Sequence, residues 1–251
     1  MFRERWRLMP FHFGTAAVNM AIDEAIAEAL SFNEANPTIR FYGWQPSAVS
    51  IGCFQSMQDE VDLGACNELG VDIVRRRTGG GAVYHDHDGE ITYSIICPES
   101  LIEKDIGASY RQVCGWVMSG LRSVGLEPKY QPINDITVAG KKVSGCAQTR
   151  RQGIFTMHGT VLYSVDRQKM FRVLRVGKAK LESKELREAG DRVAGVSELA
   201  NVDRDNLLMG LVGAFIKDKD WYMEGLGRDE AARAEVIASM RYRSDSWNLS
   251  R

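Results

Sequence analysis

Three arginines run directly into three glycines in the stretch Arg75-Arg76-Arg77-Thr78-Gly79-Gly80-Gly81-Ala82-Val83-Tyr84-His85-Asp86. No helix or strand passes comfortably through three glycines, so the chain must break its regular structure here. Apolar Val71-Asp72-Ile73-Val74 leads in as a short strand, and Glu90-Ile91-Thr92-Tyr93-Ser94-Ile95-Ile96 leads out as another. Glycines lacking Cβ let backbone N–H groups approach an anion, and arginine adds a rigid fork of charged donors. The stretch has neither the Gly-Lys-Ser/Thr ending of a nucleotide loop nor the spaced glycines of a dinucleotide fingerprint. Two readings stand at this point: a cradle for a phosphate or carboxylate, or a glycine-rich hairpin with solvated arginines.

A length of 251 residues suits one large domain, or one with a small appendage. A net charge of −1 offers no global electrostatic attraction to nucleic acid or a membrane surface. The basic cluster at Lys141–Arg151 lacks interleaved aromatics, which leaves nucleic-acid binding without support. The five cysteines (Cys53, Cys66, Cys97, Cys114, Cys146) form no C-x-x-C pair, which fits reduced thiols in a cytoplasmic protein. The start carries no apolar core of a signal peptide, and no run of apolar residues is long enough to cross a membrane.

In chain order, the spacing of Met20, Ile22, Ile26, Ala29 and Leu30 predicts a helix over 16–31. Thr15 caps it, and Asp23, Glu24 and Glu28 fill the remaining positions. Thr38–Trp44 and Ala48–Phe54 read as a strand pair joined by Gln45-Pro46-Ser47, with a short helix near 59–68. A long helix over 106–124 presents Val113, Trp116, Val117, Leu121 and Val124, leaving Cys114 off the stripe. Strands resume at 134–138, 141–148 and 154–165, and helices near 167–174, 203–215 and 228–241 fill the last third, around an irregular charged stretch at 175–200. Strands and helices without strict βαβ rhythm predict an α+β fold with mixed, mostly antiparallel sheets flanked by helices.

Four elements stand out: the glycine loop, Asn134-Asp135, Lys142-Val143-Ser144-Gly145-Cys146-Ala147-Gln148, and His158-Gly159-Thr160. Alone each is weak: Asn-Asp is commonly a turn and a lysine in a strand is commonly solvated. Together and in this order they resemble the lipoate–protein ligase A catalytic domain of the biotin/lipoate ligase superfamily. Asn19-Met20-Ala21-Ile22-Asp23-Glu24, Ile51-Gly52-Cys53-Phe54-Gln55 and Ser246-Trp247-Asn248 add to the match.

The resemblance implies a class II synthetase-like fold and a two-step reaction: lipoate and Mg-ATP form lipoyl-adenylate, then a carrier lysine takes the acyl group. It implies Lys142 as the catalytic lysine, bridging the carboxyl and the α-phosphate. Arg76, Thr78, Gly79, Gly80, Gly81 and Ala82 would line the adenylate and acid head, and His85, His158, Gly159 and Thr160 the acyl or adenylate pocket. Asp135 would hold Mg2+, Asn134 would lie near the phosphates, and Ser144, Gly145 and Ala147 beside the lysine would also bind the substrate or ATP. Trp44 would pack on the acyl chain, and Lys178 or Lys180 would join the site from a closing loop. The implied partner is a lipoyl carrier such as a glycine-cleavage H protein or an E2 lipoyl domain, with lipoate or octanoate as the acid. Bacterial ligases of this type continue into an accessory domain, so residues 1–251 are expected to be one catalytic domain served by a separate accessory polypeptide.

The same fold hosts octanoyl transferases that work through a cysteine thioester, and Phe41-Tyr42-Gly43-Trp44 and Ala147-Gln148-Thr149-Arg150 resemble one of those families. One such family places its cysteine just before the strand that begins here at Asn134, the other after the equivalent of His158-Gly159. Neither Leu126–Ile133 nor Val161–Lys180 contains a cysteine. Cys146 leaves two readings open: a buried thiol in place of the usual serine, or a displaced nucleophile beside Lys142. A non-catalytic lipoate-binding protein is a further alternative, opposed by the presence of both Lys142 and Asp135.

Overall fold

The two runs expected to pair around Gln45-Pro46-Ser47 part company and enter different sheets. In the computed structural model, which describes residues 5–175 and 192–251, β3 (Thr38–Trp44) joins a large sheet while β4 (Ala48–Ile51) joins a small one. The large sheet runs in the order β12 (Trp221–Met223), β1 (Trp6–Leu8), β3, β7 (Glu90–Pro98), β11 (Ile154–Leu162), β10 (Lys141–Arg151), β9 (Asp135–Val138), β8 (Pro128–Gln131), with β2 (His12–Gly14) also pairing β3. From β3 to β8 every pair is antiparallel, whereas β1 pairs β12 and β3 in parallel. The small sheet is β5 (Asp72–Arg75), β4, β6 (Val83–His85). The glycine loop therefore does not close a hairpin between its flanking strands. It carries the chain from β5 to β6, on opposite edges of β4, before β7 enters the large sheet.

Eight helices are described: α1 (Ala16–Ser31), α2 (Met57–Glu60), α3 (Leu63–Leu69), α4 (Ile106–Ser123), α5 (Arg167–Val173), α6 (Arg204–Ile216), α7 (Arg228–Ile237) and α8 (Asp245–Asn248). Asp or Ser side chains at positions 56, 62, 105, 166 and 203 cap the first turns of α2 to α6. On one face of the large sheet, Ile39, Phe41, Tyr93 and Ile95 pack with Val113, Val117 and Leu121 of α4 and Leu207, Leu211 and Phe215 of α6. Each such fully buried side chain contributes on the order of 1.5–3 kcal/mol. Cys114, set aside as off the stripe, is buried in this layer.

The other face is covered by α1, which departs from a half-solvated amphipathic helix. It packs between Tyr42, Trp44 and Ile96 of the large sheet, Ala48 and Val74 of the small sheet, and Ala234 and Ile237 of α7. Asp23 and Glu24, expected among the polar remainder, are consequently buried. Burying carboxylates requires partners. Asp23 accepts from Arg40 and from Ser94 Oγ at 2.8 Å, and Glu24 pairs with Arg77, Arg241 and Tyr242.

The last helix anchors the glycine loop from behind. Asn248 Oδ1 accepts the Arg75 N–H at 2.8 Å, its Nδ2 donates to the Tyr242 carbonyl at 2.8 Å, and its carbonyl accepts from the Arg75 guanidinium at 3.0 Å. Replacing Asn248 with alanine strands the buried Arg75 N–H and Tyr242 carbonyl. The expected cost is about 2–4 kcal/mol, a fall in Tm of roughly 5–10 °C by calorimetry.

Candidate active site

The glycine loop takes its shape from one side chain. Arg76 Nε donates to Thr78 Oγ1 at 3.1 Å, Nη1 to the Ser50 carbonyl at 3.2 Å and Ser50 Oγ at 3.1 Å, and Nη2 to the carbonyls of Gly79 and Gly81, each at 2.8 Å. A guanidinium has five N–H donors, and this one directs all of them into the loop and β4. Arg76 thus differs from its expected role as a direct ligand to the acid head: it positions the loop. With the Gly79 and Gly81 carbonyls turned toward Arg76, the N–H groups of Gly79, Gly80 and Gly81 have no acceptor among the described residues. Burial pulls the Arg76 pKa down to about 10, so it remains cationic at neutral pH, and no carboxylate pairs with it among the described residues. The loop therefore combines free N–H donors with an uncompensated buried positive charge, the conditions that favour an anion.

The glycines are sterically required. A Cβ on Gly52 would lie 2.2 Å from the Gly80 carbonyl oxygen, and Gly80 itself adopts φ +94°. Arg75 and Arg77 are bound rather than solvated: Arg75 to the Gln55, Trp247 and Asn248 carbonyls, Arg77 to Glu24 at 2.6 Å.

Two hydroxyl–imidazole–carboxylate chains converge on Arg76. In the first, Ser50 Oγ lies 2.8 Å from His85 Nε2, and His85 Nδ1 lies 2.8 Å from Glu90 Oε1. Glu90 also accepts from Trp44 Nε1 at 3.2 Å, and the Trp44 ring stacks on His85 at 4.0 Å. In the second, Thr78 Oγ1 lies 2.8 Å from His158 Nε2, and His158 Nδ1 faces Asp23 Oδ2 at 3.8 Å. Arg76 donates to both hydroxyl oxygens and so ties the two chains together. Burial lowers the His158 pKa, partly opposed by Asp23, while Arg40 holds the Asp23 carboxyl below the usual range against its own burial.

A cavity of about 250 Å³ joins Ser50, Arg76, His85 and His158 to Lys142, while Thr78 and Asp23 do not line it. Met20, Tyr42 and Trp44 line it together with His85, Thr92, His158 and Thr160, and Gly80, Gly81, Ala82, Lys142, Gly145 and Ala147 also border it. Lys142 reaches it because of an irregularity. In an unbroken strand Lys142 and Gly145 would face opposite sides of the sheet. A register shift between Lys142 and Ser144 brings them together, and the Lys142 Nζ lies 2.9 Å from where a Gly145 Cβ would stand. Asp135 Oδ1 holds that ammonium at 2.7 Å.

Other expected residues take different places. Ser144 is buried and does not line the cavity. Gly159 borders the cavity, but a Cβ there would meet the Tyr93 hydroxyl oxygen at 2.3 Å, so it serves close packing against β7. Asn134 lines the cavity but gives its amide to the Cys146 carbonyl. Lys178 and Lys180 lie outside the described residues. Cys146 borders the cavity, yet its Sγ turns to Cys114 Sγ at 3.8 Å and the Asn134 carbonyl at 3.5 Å. The Cys114 thiol and burial push the Cys146 thiol well above its ordinary pKa, the reverse of what a thiolate nucleophile needs. Sequence reasoning missed Asp23, Ser50, Glu90 and Tyr42 as site residues. Their signal was weak, because a buried acid on a helix and a serine within a strand look ordinary until the fold sets them side by side.

Residues 15–215 match the model of the lipoyl protein ligase A/B catalytic domain. The chain belongs to this family. Its relatives include octanoyltransferase LipM of Geobacillus kaustophilus, 31% identical over all of both chains, and that of Clostridioides difficile, 32% identical over 98% of this chain and 99% of the relative. Among solved structures, an archaeal lipoylation system from Thermoplasma acidophilum, a bipartite lipoate protein ligase with its E2 lipoyl domain, aligns with a TM-score of 0.89 at 29% identity, covering 98% of this chain and 96% of that one. A lipoate–protein ligase A bound with ATP aligns at 0.84 and 28% identity, covering 98% of each. The α+β fold is thus that of the lipoate ligases, and the chain is an enzyme of the lipoate ligase and transferase family.

If Arg76 shapes the loop, lysine cannot replace it, since an ammonium has three donors and no fork. Arg76→Lys is expected to lose about 2–4 kcal/mol of stability and to speed amide exchange across residues 76–85, read by hydrogen-exchange mass spectrometry.

Proposed function

We propose that this chain is a lipoate–protein ligase, activating lipoate (or octanoate) with Mg-ATP and passing the acyl group to a lysine of a lipoyl carrier protein. The observation that carries the reading is the Lys142–Asp135 pair at 2.7 Å on the cavity that the glycine loop also borders, while the Cys146 thiol faces away. When a carboxylate attacks an α-phosphate, both reactants are anionic. The barrier falls when fixed cations and N–H donors already stand there. Lys142 supplies a compact charge, the loop supplies donors, and the buried charge of Arg76 adds to the local potential. Met20, Tyr42 and Trp44 give the apolar contact that an acyl tail needs.

Asp135 is a single, partly exposed carboxylate, and no group of three metal-ligating side chains occurs among the described residues. That suits Mg2+, which uses one or two carboxylates and takes its remaining ligands from phosphates and water. Asp135 would hold the ion, whose chemistry there is to neutralise phosphate charge. The carrier would be an E2 lipoyl domain or a glycine-cleavage H protein, and the bipartite lipoate protein ligase among the similar structures supports a separate accessory polypeptide as a further partner. The names of the octanoyltransferase relatives favour a second reading, acyl transfer from an octanoyl carrier through a cysteine thioester.

ATP–pyrophosphate exchange separates the two. Exchange that requires lipoate and falls at least about 100-fold in Lys142→Ala is the expected result, measured alone and with a candidate accessory polypeptide. No exchange under either condition, together with octanoyl transfer abolished by Cys146→Ser, would establish the transferase instead.

A further inference from the structure

One wall of the Lys142 cavity is assembled from rings that belong to two different sheets. Trp44 ends β3 of the large sheet and His85 ends β6 of the small one, yet their rings stack at 4.0 Å between centroids with 18° between planes. One carboxylate oxygen meets both. Glu90 Oε1, at the start of β7, accepts from Trp44 Nε1 at 3.2 Å and from Thr92 Oγ1, and lies 2.8 Å from His85 Nδ1. Thr92 Oγ1 in turn accepts from Trp44 Nε1 at 2.7 Å. Ser50 Oγ lies 2.8 Å from the other ring nitrogen of His85, so the imidazole is held at both ends. Trp44, His85 and Thr92 line the cavity, whereas Glu90 lies behind them and is buried.

Burying a carboxylate is costly, and Glu90 Oε2 has no hydrogen-bond partner among the described residues. An acid in this place is therefore not accounted for by its own stability. Its contacts converge on Oε1, and each partner there is a side chain of the cavity wall. Arg204 of α6 donates from Nη2 to the Glu90 carbonyl at 2.9 Å and fixes the residue from behind. Resting on the ligase reading, we propose that Glu90 is a positioning residue that sets the acyl slot. It holds the Trp44 and His85 rings as one fixed wall, and so determines which acyl tail the slot accepts.

A wall that cannot move gives a slot of set width. Such a slot gains from each methylene that fits and resists each one that does not. Without the carboxylate, Trp44 keeps only Thr92 and His85 keeps only Ser50 as hydrogen-bond partners among these contacts. The slot then loses affinity for a matching tail and its discrimination between tail lengths. Glutamine can keep all three contacts, because its carbonyl oxygen takes the place of Oε1 and its amide that of the unpartnered Oε2. The anion end of the cavity is built from other contacts, Arg76 with the glycine loop and Lys142 with Asp135, in which Glu90 takes no part. The effect of Glu90 therefore falls on the acid and not on ATP.

The test uses the full chain and two measurements: calorimetric titration with lipoate, hexanoate, octanoate and decanoate, and pyrophosphate exchange with acid and ATP varied separately. Glu90→Ala is expected to weaken lipoate and octanoate binding about 10-fold and to flatten the preference among the three fatty acids. Its KM for the acid is expected to rise while its KM for ATP changes less than about 2-fold. Glu90→Gln is expected to stay within about 3-fold of the wild type in every readout. Should Glu90→Ala fail to fold, Thr92→Val, which removes one of the two acceptors of Trp44, takes its place and is expected to move the same readouts in the same direction. Acid affinity and tail preference unchanged in that variant, a KM for ATP rising in parallel with that for the acid, or a Glu90→Gln as impaired as Glu90→Ala would overturn the role of Glu90. A wild type that binds the acids but exchanges no pyrophosphate removes the ligase reading, and the titrations still decide the wall. A wild type that binds none of the acids overturns the wall itself.

Discussion

A single guanidinium turned inward holds the site in place. Arg76 spans the small sheet and the glycine loop, and its contacts reach Ser50, Thr78, Gly79 and Gly81 at once. Binding the loop carbonyls leaves the loop N–H groups without an acceptor among the described residues. Binding two hydroxyl oxygens fixes Ser50 and Thr78 within 2.8 Å of His85 and His158. The burial of a positive charge without a carboxylate is unfavourable in the free protein. An arriving anion would offset that cost, so the same residue that shapes the loop also biases the cavity toward negatively charged ligands.

The second device is the shift in β10. A strand alternates its side chains, and only a break in register lets Lys142 share a face with Gly145 and Ala147. Lys142 is tied to the backbone on both sides, its N–H donating to the Arg192 carbonyl at 2.8 Å and its carbonyl accepting from Ala194 at 3.0 Å. Asp135 on the neighbouring strand then aims the ammonium. The absence of a side chain at Gly145 leaves the room that the lysine occupies. The same strand turns Cys146 into the α4 layer, where the Cys114 thiol and burial favour the protonated form.

Much of this was legible beforehand. The apolar spacing of α1 and α4 marked both helices, and Thr15 marked where the first begins. The order of glycine loop, Asn134-Asp135, Lys142 and His158-Gly159 pointed to the family that the comparison bears out. Other features were hidden for physical reasons. Ser144 and Asn134 belong to matching motifs, but a motif does not say which face of a strand a side chain takes, and Asn134 is committed to the Cys146 carbonyl. Asp23 and Glu24 were read only as the polar remainder of a helix, because the helix pattern alone does not reveal that the large sheet, the small sheet and α7 all pack on α1.

By itself the sequence determined the element types, the mixed antiparallel architecture and the family, because periodicity and motif order are local properties written along the chain. The tertiary structure decided which arginine shapes the loop, which acid faces which histidine, and on which side of the sheet Lys142 and Cys146 lie. Those outcomes depend on contacts between residues far apart in the chain, Asp23 with His158 and Arg75 with Asn248 among them. A one-residue shift in a strand is enough to move a side chain from one face to the other.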